Sequence, residues 1–409
     1  MEVHHQKCAG LDVHKDSVVA CIRLHGPKVD HIVETFGTTT GDLQKLADRL
    51  SEHGVTHVAM EATGSYWKPV WTVLMPEFEL ILANAAHIKN VPGRKTDVND
   101  AMWIADLVAH GLIRASFVPS GDIQALRDLT RTRKQLTRER SSHSQRIDKV
   151  LQTANIKLSS VVSDIMGESG RAILDAMAAG ETDPTKLVSL VHRNVRTSRE
   201  KIIEALRGRL SEHQRLLLKL HLQQIDSFNS GIALIDTEVG ERLQPFRDAV
   251  NNLETIPGVS HVSASVIVSE IGVDMSRFKS AAHLISWAGL CPKNDESAGK
   301  RRSTKLRNGA PWLKTVLVQC AWSATRKKGT NLREMFMRLK SRRGPRKAIM
   351  AVAASILTSI YHMLKNNVRY VDLGPQHYDT INRTQAAKRI VRRLDELGFD
   401  VVLTDRSAA

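Results

Sequence analysis

Ala9-Gly10-Leu11-Asp12-Val13 and, three polar residues later, Ser17-Val18-Val19-Ala20-Cys21-Ile22 are two short apolar runs of strand length at the head of the chain. A third, His31-Ile32-Val33-Glu34-Thr35, follows. The pattern then changes. Leu43 to His53 carries helical periodicity and stops at Gly54; Val55 to Met60 and Phe78 to Ala83 return to strand; Asp97 to His110 is helical, with Gly111 behind it. Three strands in succession, then strands alternating with helices, predict an α/β domain whose sheet is of mixed direction. Trp67, Trp71 and Trp103, with Val70 and Ile104 as helical neighbours, read as core rather than as base-stacking platforms.

From about residue 122 the chain becomes long polar helix. Leu129, Leu136, Ile147 and Val150 form a stripe amid Arg127, Arg131, Arg133, Lys134, Arg138 and Arg140. Leu218, His221, Ile225, Phe228, Ile232, Ile235 and Val239 alternate three- and four-residue steps, the coiled-coil period with one polar member. Gly167, Gly170, Gly180 and Pro184 predict an interruption between two long helices. These pair antiparallel as a coiled coil or belong to an ordinary bundle; the pattern fits both. A compact helical region runs to about residue 370, with alanine-rich helices at Trp312 to Thr325 and Lys347 to Leu364. A last helix carries Arg389, Arg392 and Arg393, and an apolar strand-like end follows. The expected division is 1–120, 121–249, 250–370 and a tail, 371–409.

Hydrophobic residues make up 42% and charged residues 25% of the 409, which fits a globular protein rather than a disordered one. Lys and Arg total 59 against 43 acids, a net charge of +16, and such a surplus points to a polyanionic partner, nucleic acid above all. A merely basic protein is the alternative. No stretch reads as the roughly 18 to 20 apolar residues of a bilayer span, so no membrane is expected. Met1-Glu2-Val3-His4-His5 lacks the regions of a signal peptide. Cys8, Cys21, Cys291 and Cys320 form no CxxC pair, so neither a zinc site nor a disulfide framework is indicated. A reducing cytoplasm is the expected home, with Cys8 and Cys21 as small core residues.

Asp12 ends the first apolar run, Glu61 follows Val58-Ala59-Met60, and Asp97 and Asp100 are spaced to share one helix face. Carboxylates gathered at the edge of a buried sheet are the hard oxygen donors that magnesium requires, with positions left for water and phosphate. Two such ions stabilise both the attacking and the leaving oxygen of a phosphodiester. Each acid also has an ordinary reading: Asp97 as a helix cap, Glu61 as a solvated loop carboxylate.

Gly10-Leu11-Asp12-Val13-His14-Lys15, Met60-Glu61-Ala62-Thr63-Gly64 and Gly93-Arg94-Lys95-Thr96-Asp97-Val98-Asn99-Asp100-Ala101 resemble signature blocks of the DEDD transposases of bacterial insertion sequences, the IS110 family. The likeness continues in family order through Ile256-Pro257-Gly258-Val259, Ser286-Trp287-Ala288-Gly289-Leu290-Cys291-Pro292 and Asn294-Asp295-Glu296-Ser297-Ala298-Gly299-Lys300-Arg301-Arg302. The resemblance implies a RuvC-like domain of ribonuclease-H-like fold, a helical coiled-coil middle, and a C-terminal transposase domain with a helix-hairpin-helix-like element. It implies that Asp12, Glu61, Asp97 and Asp100 bind Mg2+ or Mn2+, and that Ser297 is the catalytic nucleophile. It further implies a bacterial, nucleoid-associated recombinase acting on element ends and target DNA as a dimer or tetramer. Some family members are guided by an element-encoded bridge RNA.

On local grounds alone Ser297 is a serine in a polar loop, Lys293 to Gly299, and Ser303 competes with it. The cations that follow, Lys300, Arg301, Arg302, Lys305 and Arg307, together with Arg342 and Arg343 farther on, read as phosphate contacts rather than as solvated loops. Ile256-Pro257-Gly258-Val259 is either a helix-connecting turn or a phosphate-binding helix start. Two alternatives to a serine recombinase stand at this point: a metal-dependent nuclease that uses activated water, and a non-catalytic nucleic-acid scaffold.

Overall fold

The computed structural model describes residues 2–62, 64–84, 88, 100–292, 295–297, 300–303, 305–306, 309–378 and 383–402, with backbone alone at 295–297, 300–302 and 383–386. The chain divides into two compact units, Met1–Val118 and Pro119–Ala409.

In the first unit, β1 (Lys7–Val13), β2 (Ser17–His25) and β3 (Val29–Gly37) form an antiparallel meander. After α1 (Thr40–Glu52), strand β4 (His57–Glu61) lies parallel to β1. After α2 (Trp67–Leu74), strand β5 (Glu79–Ala83) lies parallel to β4, giving the order β3-β2-β1-β4-β5. The mixed direction read from the sequence is thus present. A five-stranded mixed sheet followed by helices fits a ribonuclease-H-like α/β plus helical arrangement.

Strand alternation sorts the side chains onto two faces. Leu11, Val13, Val18, Ala20 and Ile22 pack under Leu43, Leu46 and Leu50 of α1 and Val70 and Leu74 of α2. Thr39 caps α1 by accepting from the Asp42 amide. Trp67 and Trp71 meet edge to face at 5.8 Å against this core, as their helical spacing predicts.

On the other face α3 (Asp100–Ala109) lies against β1 and β4, where Ile104, Leu107 and Val108 meet Cys8, Ala59 and Ala83. The approach is backbone to backbone. A Cβ on Gly10 would stand 2.3 Å from the Ala101 carbonyl oxygen and 2.4 Å from the Ala105 nitrogen. Arg23, a buried cation near the end of β2, donates to Asp106 of α3 at 2.7 Å, and His31 of β3 adds a contact at 3.2 Å. Burial pushes the Cys8 thiol up to about 11 and Cys21 to about 12, so both stay protonated core residues, as expected.

The second unit opens with α4 (Gly121–Thr153), followed by α5 (Leu158–Val161), α6 (Glu168–Ala179), α7 (Pro184–Ser189), α8 (Arg199–Ala205) and α9 (Glu212–Arg242). Arg133–Asp236, Arg140–Asn229 and His143–His221 contacts run in opposite sequence directions, so α4 and α9 are antiparallel. Leu218, Ile225, Ile232 and Val239 of the stripe are buried. The stretch at 165–200 is more than an interruption. Its short helices build a core of their own, with Ile173, Leu174, Leu187 and Ile202 packed on Ile147, Leu151 and Leu218.

Next come α10 (Arg247–Glu254), α11 (His261–Ile271), α12 (Ala281–Trp287), the hairpin β6 (Asp295–Ser297) and β7 (Lys300–Ser303), then α13 (Pro311–Ala324), α14 (Asn331–Arg343), α15 (Pro345–Asn366) and α16 (Arg383–Asp395). Helix α15 corrects the expectation about apolar runs, being long and apolar enough by length and composition to cross a bilayer. Half of it is buried, with Val352, Ala353, Ile356, Leu357 and Ile360 in the core. The strand-like end is also corrected: residues 399–402 form no strand.

The contact at Gly10 yields a direct test. Gly10→Ala forces α3 off the sheet and should destabilise the first unit by about 3 kcal/mol, read as a lowered midpoint in urea unfolding; an unchanged midpoint would refute the packing.

Candidate functional site

Asp12 and Glu61 are brought side by side by register. Gly10 pairs with Ala59 and Leu11 with Met60, so Asp12 and Glu61 occupy the next step at the carboxyl ends of two parallel, central strands. Both lie two residues beyond positions that face α3, and therefore face it too. The α3 helix runs back along β1: its last residue, Ala109, accepts from the His4 amide, while Ala101 meets Gly10. Asp100, exposed at its first turn, therefore stands at the same end of the sheet as the other two acids. Three of the four predicted acids thus gather at the carboxyl edge of the sheet, where open α/β folds form their ligand crevices. Asp97 lies outside the described residues.

His14 is the neighbour that the sequence reading missed. Its Nε2 sits 3.1 Å from Asp12 Oδ2, and the two-residue spacing beyond a strand end was the available signal. Asp106 and Arg23 were missed as well; they hold α3, and with it Asp100, in place. A cation among the apolar residues of β2 was the visible clue.

The donors are all carboxylate oxygens, which suits magnesium or manganese over softer ions. Among the described residues no three His, Cys, Asp or Glu side chains stand close enough to hold an ion by themselves. Asp12 and Glu61 on adjacent strands leave positions for water and phosphate, and the positive end of α3 offsets the charge of Asp100. The donor set fits a hard divalent ion.

The second unit carries the predicted serine. Ser297 is the last residue of β6 and pairs with Lys300, rather than lying in an irregular loop, because the polar segment closes as a two-strand hairpin. The bridge Pro292–Leu306 continues this pairing. Arg301 pairs with Glu296, and Arg302 lies beside it in β7. Ser303, the competitor, has a structural role, since its Oγ accepts from the Lys305 amide at 3.1 Å. Lys305 is exposed, and Arg307 lies outside the described residues.

Arg342 and Arg343 are exposed in the last turn of α14, where cations suit the helix dipole. Arg346 and Lys347 sit in the first turn of α15, where they oppose it, with no acid in that turn. A polyanion would offset that cost. Ile256-Pro257-Gly258-Val259 is a turn with Ile256 and Val259 buried, and Ser260 caps the next helix by accepting from the Ser263 amide. Gly258 takes φ +87°, and a Cβ there would meet the Ala324 nitrogen at 2.5 Å. The connecting-turn reading describes this segment.

Residues 9–156 match the family model for DEDD transposases of the IS110 type, and residues 250–336 match the transposase IS116/IS110/IS902 family. Together the matches cover more than half of the chain. A Pseudomonas aeruginosa protein described as a family 20 transposase is 24% identical over 283 residues, 66% of this chain and 71% of its own length. Two Sinorhizobium fredii proteins described as transposases are also similar. For y4qE the identity is 25% over 70% of this chain and 63% of that protein. For y4pF/y4sB it is 24% over 87% of each.

Magnesium bound by these acids should raise the thermal midpoint of the wild type, and Asp12→Asn or Glu61→Gln should abolish that rise. A full magnesium response in Asp12→Asn, read by calorimetry, would remove Asp12 from the site.

Proposed function

This chain belongs to the IS110 family of transposases and is a DNA-transposing enzyme, and we propose that it cuts and rejoins DNA through a metal-assisted serine mechanism. Asp12, Glu61, Asp97 and Asp100 hold Mg2+ or Mn2+. The ion supplies Lewis-acid stabilisation of the phosphodiester oxygens. Ser297 is the nucleophile. Its Oγ attacks phosphorus, the bond to the leaving oxygen breaks, the serine proton passes through water to that oxygen, and the broken strand departs with a free hydroxyl. The phosphoserine link keeps the energy of the phosphodiester, so the strand is rejoined by reversal with a new hydroxyl and no external energy source. The observation that supports this reading most is the placement of Asp12, Glu61 and Asp100 at the same end of the sheet.

Lys300, Arg301, Arg302, Lys305 and Arg307, with Arg342 and Arg343, contact phosphates. Within the second unit we assign 121–249 to a coiled-coil spacer and oligomer contact, and 250–370 to the serine-bearing domain. In that domain α10, the Gly258 turn and α11 serve as a helix-hairpin-helix-like element; 371–409 is the tail. The enzyme works in the bacterial cytoplasm on element ends and target DNA as a dimer or tetramer, with a bridge RNA as guide. The surplus of +16 supports polyanionic partners of this kind.

Incubation with magnesium and labelled element DNA, with flanking non-coding RNA supplied, should leave label on the denatured wild type and none on Ser297→Ala, which still binds DNA. Cleavage with free ends and never an adduct would favour a hydrolytic nuclease instead. An adduct mapped to Ser303 would move the nucleophile.

Binding should weaken steeply with salt as neutralised phosphates release counterions. Arg342→Glu with Arg343→Glu should flatten the slope of log K against log salt by about 2, at about 0.9 per phosphate contact. An unchanged slope places the DNA elsewhere.

A further inference from the structure

The cations of α4 fall into two sets. Arg133 and Arg140 reach across to Asp236 and Asn229 of α9. Arg127, Arg131, Lys134 and Arg138, at steps of four, three and four, share another face. Arg127 and Arg131 converge on Glu270 of α11, a carboxylate with no exposed surface. Arg131 holds it with two bonds of 2.8 Å, and Arg127 also donates to the Glu270 backbone oxygen at 3.1 Å. One carboxylate between two guanidinium groups leaves this inner half of the face with a net positive charge. Lys134 and Arg138 have no carboxylate partner among the described residues, and Arg138 is exposed.

Arg138 is nevertheless not loose. Its guanidinium lies over the Trp312 ring, 5.4 Å from the centroid, and Arg131 approaches the same ring at 5.8 Å. An indole face attracts a cation and leaves the N–H donors at the guanidinium edge available. Two guanidinium groups on one indole repel each other. Glu270 compensates Arg131 only, so the stack carries an uncompensated positive charge.

Trp312 opens α13, directly behind the serine hairpin in the chain. The hairpin's root is fixed on the same ground. Pro292 bridges Leu306, Ala310 donates to the Trp287 carbonyl at 3.2 Å, and Arg127 lies over the Trp287 ring at 5.6 Å. One helix face thus seats the two tryptophans that flank the hairpin and ends in an exposed arginine, stacked on the second ring, with no carboxylate partner among the described residues.

We propose that Arg138, stacked on Trp312 and supported by Lys134, binds a backbone phosphate of the DNA strand served by the Ser297 hairpin. This rests on the reading of the protein as a serine recombinase and adds a positioning residue to it. A planar guanidinium with free edge donors suits a phosphodiester, which it grips with two parallel bonds. Because the ring already holds the side chain, little rotamer freedom is lost on binding.

The test uses the full-length protein and a fluorescent duplex DNA of mixed sequence, titrated at several salt concentrations, with a structured RNA of equal charge in parallel. Arg138→Gln should weaken duplex binding about ten-fold at moderate salt and flatten the salt slope by about 0.9, the value of one phosphate contact. Its thermal midpoint should stay at the wild-type value, which a merely structural arginine would not allow. Trp312→Leu should reproduce the loss of binding. Arg138→Lys should recover the slope but only part of the affinity, since an ammonium keeps the charge and loses the two-bond grip. An unchanged slope in Arg138→Gln, with normal wild-type binding, overturns this proposal alone. An effect on RNA without one on duplex DNA overturns the choice of DNA. Wild-type protein without salt-dependent binding overturns the parent reading, and this proposal with it.

Discussion

At Gly10 a helix backbone rests directly on the central strand of the sheet, and the geometry of the first unit follows from that contact. No side chain other than hydrogen leaves room for the Ala101 carbonyl and the Ala105 amide. Because α3 lies so close, its first turn is carried to the level where β1 and β4 end. The same closeness makes Cys8, Ala59 and Ala83, small residues all, the floor beneath Ile104 and Leu107. Arg23 and Asp106 then fix the helix laterally through a largely buried ion pair. Such a pair contributes little net stability, and it joins β2 to α3 at a defined position.

The second unit solves a problem of charge. Its long helix α4 is crowded with arginine, which cannot lose its proton inside a protein and so must be partnered, stacked or left in water. Each solution occurs. Arg133 pairs with Asp236 across the helix pair, Arg127 and Arg131 enclose Glu270, and Arg138 stacks on Trp312. Burial draws Arg127 down to about 10 against the opposing pull of Glu270, which leaves it cationic at neutral pH. Breaking the Glu270 cluster would leave buried positive charge without compensation, a penalty of about 3 kcal/mol or more. The cluster ties α4 to α11 and gives the hairpin a firm base.

In the proposed mechanism these two features have different parts. Hard carboxylates at a sheet edge would favour an ion that keeps open positions for phosphate oxygens. A serine followed in the chain by cations would attack in a field that stabilises negative charge as it develops at phosphorus. An enzyme that must rejoin what it cuts gains from a covalent link, since hydrolysis would discard the bond.

Much of this was legible in the sequence. Short apolar runs at Ala9–Val13, Ser17–Ile22 and Val55–Met60 marked strands, because a strand covered on both faces reads as a brief apolar stretch of strand length. The order of the runs fixed mixed pairing, since consecutive strands close as hairpins and a strand reached through a helix returns parallel. The signature blocks identified the family and nominated the acids and the serine. What the sequence could not show is which residues meet. The register that sets Asp12 beside Glu61 is a property of two strands separated in the chain by β2, β3 and α1. The hairpin that takes up Ser297 depends on pairing with Lys300 through Ser303, where local polarity reads as loop. The sorting of the arginines of α4 into partnered and unpartnered sets depends on Glu270 and Trp312, residues more than a hundred positions away. Local propensity and periodicity are encoded in neighbouring residues and can be read from them. Register, ion pairing and stacking are decided only when distant segments are packed, because each is set by the partner's position as much as by the residue itself.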